Sequence, residues 1–498
     1  MATQLATMIV FVPIIIRYVG EEKYGVWTLA MAIVGVLAFL EFGLVQATNR
    51  FLSAIDHRLE PAAFGDMACT TFWLTFFSGL AVLAIGLPFS GDIAELLDIP
   101  RPMHEEAGFV IALIIWRFAL SVPLRQFNTL LISQRLMARA HLTQGFITLV
   151  YFGAGWVMLN LGWGLVGLAW AFLATLVLEH AIYLDMSRAV LPLSTYSPRR
   201  FKVRLVPKIV EFSLFAWLGQ AVNVVFMRAG VFLVQLTAGL VATGAFGVAN
   251  RLILVSQELA SQVVFAGGPK VAKLAASGET RRDSGWLTLA LARRALLLSG
   301  PLAAVAVPLG GVFLRGWIGG EMAEVAAAPL AILAVDVALS VPTLTANNSL
   351  TLSGEHRWVN LWSIIIAATY LPLAYAGGLW FGVTGVATAS LVVTVVVGMP
   401  IFLPRLTRQT GLNVGLWWSA VYARHMLPFL VGLAFAYVAA VFTMRVIPPS
   451  RWWMAAAAAF GLLAVLAYLG TYFFITAPVE ERGWARDLWK KAIARLGL

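Results

Sequence analysis

Runs of roughly 18 to 23 apolar residues recur along nearly the whole chain, and very few folds can accommodate them. At about 1.5 Å of rise per residue, each run is long enough to cross a hydrocarbon core of about 30 Å as a helix. Transmembrane barrel strands would instead be segments of about ten residues with alternating polarity, whereas these runs are apolar on every side. Fourteen spans are expected, at 2–19, 26–47, 69–89, 109–131, 142–160, 165–184, 211–237, 244–266, 294–315, 326–350, 359–380, 384–403, 426–446 and 453–475. The first run has no positive residue before it and no small-residue cleavage site after it, so it is expected to be a retained helix and not a signal peptide. With 60% apolar and 12% charged residues, the chain reads as an all-α polytopic membrane protein.

Lysine and arginine between the spans set an orientation. With the N-terminus inside, the inner segments hold 25 of them and the outer segments six, which predicts that both termini are cytoplasmic. The same bias explains the net charge of +11 without any nucleic-acid partner. One cysteine, Cys69, excludes an internal disulfide, and the six histidines are too scattered to suggest a metal motif. No cofactor or metal is expected.

The longest basic connection, Asp185 to Ile209, follows the sixth span and reads as a hinge between two bundles. The first outer turn, "GEEKYG", is bracketed by Gly20 and Gly25; 219 residues later Gly239 and Gly244 bracket "GLVATG". "GWGLVGLAWA" from Gly162 matches "WFGVTGVATA" from Trp380 at an offset of 218, pairing Gly164 with Gly382 and Gly167 with Gly385. Each half contains six spans, so the repeats share one orientation and build two parallel six-helix bundles around a central cavity. The expected divisions are a first bundle at 1–184, a basic linker at 185–210, a second bundle at 211–404, extra helices thirteen and fourteen at 405–475, and an amphipathic tail at 476–498. In that tail Trp484, Leu488, Trp489, Ile493 and Leu496 share a face; it lies on the inner membrane surface or is simply solvated. Nearly all loops are short, and there is no GxxxxGK[ST] phosphate loop, which argues against a self-contained ATP-driven pump. The outward loop from Ser90 to Gly108 is too small for a glycosyltransferase or polymerase site, so no enzyme is expected.

The stretch "YVGEEKYGVWTLAMAIVGVLAFLEFGLVQATNRFLS", with its Gly-x-x-x-Tyr-Gly turn and the Arg50 that closes the second span, resembles the Wzx-like polysaccharide and O-antigen flippases. These form one branch of the multidrug, oligosaccharidyl-lipid and polysaccharide exporter superfamily. "GGPKVAKLAASGE" after span eight and "FLRGWIG" around Arg315 extend the likeness across most of the chain. The sequence departs at span seven, where many relatives carry an Asp-Arg pair and this chain has Met227-Arg228. The resemblance implies a bacterial inner-membrane flippase whose cargo is a polyprenyl-diphosphate-linked glycan, with membrane lipid as its other partner.

Ionisable residues within spans are Glu41, Arg117, Arg125, Glu179, Arg228, Arg251, Glu258 and Asp336. Each costs several kcal/mol at the bilayer centre and is expected to face a cavity or a partner. A diphosphate carries about two negative charges, and guanidinium binds phosphate through a two-pronged fork. Arg117, Arg251, Arg228, Arg125 and Arg50 are therefore the substrate-binding candidates. Arg117 lies about 12 Å inside the outer end of span four, deeper than easy snorkelling would place it. Arg125 snorkels or binds, and Arg228 faces a cavity according to where span seven starts. Arg251 and Glu258 share a helix face and either serve cargo or neutralise each other. Glu41, Glu258 and Asp336 are candidates for coupling to a proton or sodium ion during alternating access. A multidrug or cation antiporter of the same superfamily, or a membrane scaffold without transport, are the competing readings.

Overall fold

A computed structural model of the chain describes residues 2–41, 43–57, 59–134, 136–276, 281–352, 354–448 and 452–483. All regular structure among them is helical. In lipid this is the arrangement that bonds every backbone group within its own segment. The amphipathic tail expected at 476–498 lies outside the described residues from Trp484 onward.

Packing divides the chain into two units, Met1–Gly244 and Ala245–Leu498. The first contains α1 (Ala2–Val19), α2 (Glu21–Leu37), α3 (Leu44–Ala54), α4 (Pro61–Gly86), α5 (Ser90–Leu96), α6 (His104–Ser133), α7 (Met137–Asn160), α8 (Gly164–Arg188) and the first arm of α9 (Val206–Ala276). The second contains the rest of α9, α10 (Arg281–Trp317), α11 (Gly320–Leu352), α12 (His356–Val392), α13 (Met399–Thr410), α14 (Val414–Trp417), α15 (Arg424–Val446) and α16 (Trp452–Thr471).

Among the described residues, ten continuous helical stretches are long and apolar enough to cross a membrane. Two of them fold back on themselves, at Gly239 and Gly382, where a single residue leaves helical geometry. With α1 and the interrupted α2–α3, that yields the fourteen arms the apolar runs predict. The first glycine pair aligned by the repeat matches in conformation, and the second matches in its positive φ. Gly20 has φ 87° and ψ 166°, and Gly239 has φ 82° and ψ −174°; Gly164 and Gly382 have φ 54° and 58°. These values fall in a region that only glycine enters without steric cost, so the repeat is written in turn geometry as well as in sequence.

Span two differs from the expected continuous helix. After α2 the chain tightens into a 3-10 turn, Ala38–Glu41, and Gly43 takes the left-handed conformation before α3 begins. A side chain at Gly43 would collide with the backbone of Ser213 and Trp217 on the first arm of α9. Interrupting the helix frees carbonyl groups, and Ser78 of α4 donates to Leu40 O at 2.6 Å. Broken helices survive at membrane depth only where such partners re-satisfy the backbone.

The basic connection is fastened and not loose. Its three short turns, Leu193–Tyr196, Pro198–Arg200 and Val203–Leu205, lie along α4. Cys69 Sγ donates to Ser197 O at 3.3 Å, Trp73 Nε1 to Tyr196 O at 3.0 Å, and Lys202 N to Thr70 Oγ1 at 3.1 Å. The Tyr196 ring packs on Phe72 and Phe127, and burial pushes its phenol above the ordinary range. In the second unit α15 and α16 pack on α10 through small residues, Ala436, Ala439, Ala440, Ala457 and Ala464 beside Leu309 and Val312. Small side chains let helix backbones approach closely where lipid offers no hydrophobic drive. Three π-helical turns, Val393–Gly398, Trp418–Ala423 and Tyr472–Thr476, interrupt helices of this unit.

Candidate functional site

In the first unit the interruption of span two is the point on which the charges converge. Glu41, at the end of the 3-10 turn, is ion-paired with Arg125 of α6 through Oε1 and Nη1 at 2.6 Å. The partners are unequally placed, the Glu41 side chain being 8% exposed and that of Arg125 38%. Pairing is what makes a carboxylate tolerable at that depth.

Two turns toward the start of α6, Arg117 donates from Nε to Phe172 O of α8 at 2.8 Å, and its guanidinium lies 3.5 Å from the Phe172 ring centroid. A desolvated cation over an aromatic face is worth about 2 kcal/mol. Glu179 of α8 and Arg125 both act electrostatically on Arg117. From the first arm of α9, half-buried Arg228 lies against α2, where its Nε stands 2.5 Å from the place a Cβ on Gly35 would occupy. Six residues of chain, about 10 Å, separate Gly35 from Glu41. Arg117, Arg125, Glu41 and Glu179 thus gather around α2, α6 and α8, while Arg228 lies against α2. Arg50 stands apart: exposed on α3, it stacks on Phe212 at 4.2 Å, while Lys208 stacks on Phe51 at 5.3 Å.

The second unit separates its candidates. Arg251 and Glu258 are both exposed on the second arm of α9, and no ion pair joins them among the described residues. Asp336 of α11 is 7% exposed. Its Oδ2 accepts a hydrogen bond from Ser390 Oγ at 2.5 Å, and Thr394 of the adjoining π turn is a second hydroxyl beside the carboxyl. A buried carboxyl flanked by hydroxyls, next to a π turn, is suited to holding a proton or a small cation.

Sequence reasoning missed a further cluster. Glu481, just beyond the last span, is buried and ion-paired with Arg293 of α10 at 2.6 Å; it also accepts a hydrogen bond from the Tyr472 hydroxyl. His425 of α15 stacks on Tyr472 at 4.4 Å and shares a 2.8 Å hydrogen bond with Tyr468 of α16. No local spacing announces this cluster, whose members come from four separated segments. The sequence offers one usable hint, the acidic "VEERG" directly after an apolar run that ends on a basic-rich side.

No family model and no curated protein matches the sequence. Solved structures do. The lipid II flippase MurJ, in an inward closed conformation, aligns over 95% of this chain and 97% of its own with 12% identity and a TM-score of 0.73. An inward-facing multidrug resistance MATE family transporter of the MOP superfamily aligns over 82% of this chain and 96% of its own, with 15% identity and a TM-score of 0.65. The MATE multidrug transporter DinF-BH, solved with a bound ligand, aligns over 83% of this chain and 95% of its own, with 16% identity and a TM-score of 0.58. The chain therefore shares the fold of MOP-superfamily membrane transporters.

Proposed function

We propose that this chain is a flippase of the bacterial inner membrane that carries a polyprenyl-diphosphate-linked oligosaccharide or polysaccharide precursor outward by alternating access, with both termini in the cytoplasm. The observation that carries the reading is the placement of two arginines on one helix of the first unit, Arg117 against Phe172 and Arg125 on Glu41, with Arg125 still more than one-third exposed. An anionic headgroup could reach Arg125, and guanidinium is the side chain that grips phosphate with two parallel donors. The flippase fold also aligns over more of the chain than the first MATE fold, 95% against 82%, and the difference is roughly the share taken up by 414–476. Within that stretch α15 and α16 suit a role beside the lipid tail. Exposed Arg251 and Arg50 are assigned to the headgroup as it enters and leaves.

A multidrug or cation antiporter is the second reading, favoured by the MATE-like fold. Both readings can be tested in vesicles containing the purified chain and a fluorescent polyprenyl-diphosphate sugar. The flippase reading predicts loss of protection from an impermeant quencher, and predicts that Arg251→Ala and Arg117→Ala abolish it while the protein remains folded. Movement of a cationic dye but not of the glycolipid would reverse the assignment.

Ion coupling is assigned to Asp336, Glu258 and Glu41, with proton or sodium as the ion. Asp336→Asn keeps the shape and the Ser390 contact but cannot change charge. Accumulation driven by an ion gradient should vanish in this variant while gradient-free exchange continues, as measured in the same vesicles. Gradient-driven accumulation by Asp336→Asn at the wild-type level would remove Asp336 from the coupling machinery.

A further inference from the structure

The ion pair between Glu41 and Arg125 places a candidate coupling group on a candidate cargo-binding group. We infer that the two act as a charge-exchange device: an anionic phosphate oxygen of the cargo takes Arg125 from Glu41, and the released Glu41 takes up one proton. This rests on the proposed anionic cargo.

The pair is asymmetric. Arg125 is more than one-third exposed and can be reached by a ligand; Glu41 is almost fully enclosed and cannot follow its partner outward. Among the described residues, the other groups facing this position do not offer Glu41 a replacement. From α6, Arg117 is committed to Phe172 through its Nε and its ring contact, and Glu179 of α8 is the acidic group that acts on it. Also on α8, His180 Nδ1 is bonded to Leu176 O, and the Tyr183 hydroxyl donates to Ala140 O. Arg228 of α9 lies against Gly35, about 10 Å of chain away. α4 contributes Ser78, already donating to Leu40 O. Arg125 is the charge that acts on Glu41. A carboxylate stripped of its partner in such a place is expected to neutralise by protonation instead of remaining charged.

The balance is simple. In the free protein Glu41 is ionised and paired; in the complex Arg125 is paired with phosphate and Glu41 carries a proton drawn from water on the side from which the cargo entered. When the phosphate leaves, Glu41 gives the proton back and recovers Arg125. One proton therefore accompanies each diphosphate, which lowers the charge the protein must carry through the membrane. That proton travels with the cargo, so within the coupling set Glu41 ties proton uptake to binding, and the gradient-driven step falls to Asp336 or Glu258.

Titration calorimetry on the full chain in detergent tests this, with farnesyl diphosphate as the probe, in buffers of different ionisation enthalpy between about pH 7 and 9. The wild type is expected to take up about one more proton per diphosphate than Glu41→Gln, and its affinity should weaken about tenfold more per pH unit than that of the variant. Arg125→Lys should retain the uptake, because the pair is kept. Equal proton counts in wild type and Glu41→Gln, with binding intact in both, would overturn the exchange and leave the anionic-cargo reading standing. Absence of diphosphate binding by the wild type would overturn the anionic-cargo reading and the exchange with it.

Discussion

Gly385→Val is expected to leave no correctly folded protein in the membrane. Gly377 and Gly385 face each other across the hairpin that turns at Gly382, and each occupies the space a side chain on the other would need. A Cβ on Gly385 would overlap the Gly377 carbonyl group, which is backbone and cannot rotate away. Overpacking in a flexible core costs about 1–3 kcal/mol, but a clash against helix backbone has no inexpensive relaxation, and a cost above about 4 kcal/mol is expected. Thr388→Val, one turn further along the same arm at an exposed position, is the control that should be tolerated. Size-exclusion chromatography of the detergent-solubilised proteins distinguishes them. A monodisperse Gly385→Val protein would show that the hairpin can open at no great cost.

Glu481→Ala is the second large effect. The substitution strands Arg293, which is 8% exposed, and removes the acceptor of the Tyr472 hydroxyl, whose ring lies on His425. Leaving one partner of a buried pair uncompensated costs about 3–5 kcal/mol, enough to lower the unfolding temperature of the full chain by a readily measured amount. Replacing both partners with apolar residues of similar volume, as in Arg293→Met with Glu481→Leu, should recover most of the loss, because a buried pair contributes little over a well-packed apolar contact. If the double variant is no more stable than Glu481→Ala, the pair holds the segment through more than its charge.

The helices were legible because hydrocarbon thickness fixes their length and forbids alternatives, and the hairpins because glycine alone closes a one-residue turn. Gly20 and Gly239 close the same one-residue turn, and Gly164 shares its positive φ with Gly382 although the α7–α8 connection runs over Leu161–Trp163. What stayed hidden was whatever depends on side chains meeting across the bundle. Glu41, Arg125 and Arg117 were readable as costly residues, but nothing in the linear order pairs Glu41 with Arg125 or sets Arg117 on Phe172. The break in span two left a faint trace in "LEFG", where a carboxylate and a glycine interrupt an apolar run; its cause, the approach of Gly43 to the α9 backbone, is tertiary. Ser390 looked like any small polar residue in a membrane helix until the fold brought it to Asp336. The basic connection read as a hinge between two bundles, yet backbone carbonyls of Tyr196 and Ser197 accept bonds from Trp73 and Cys69 that composition cannot foretell.

The one-residue turns also bear on how the protein meets its membrane. Two arms joined by a single glycine cannot slide past one another by even a turn of helix, so both must start at the same depth. A bilayer thicker or thinner than the arms then cannot be matched helix by helix: each hairpin has to lean as a block, or the lipid around it has to deform. Acyl-chain length thereby becomes a lever on this protein, one that acts on pairs of helices together and needs no contact with the charged groups inside.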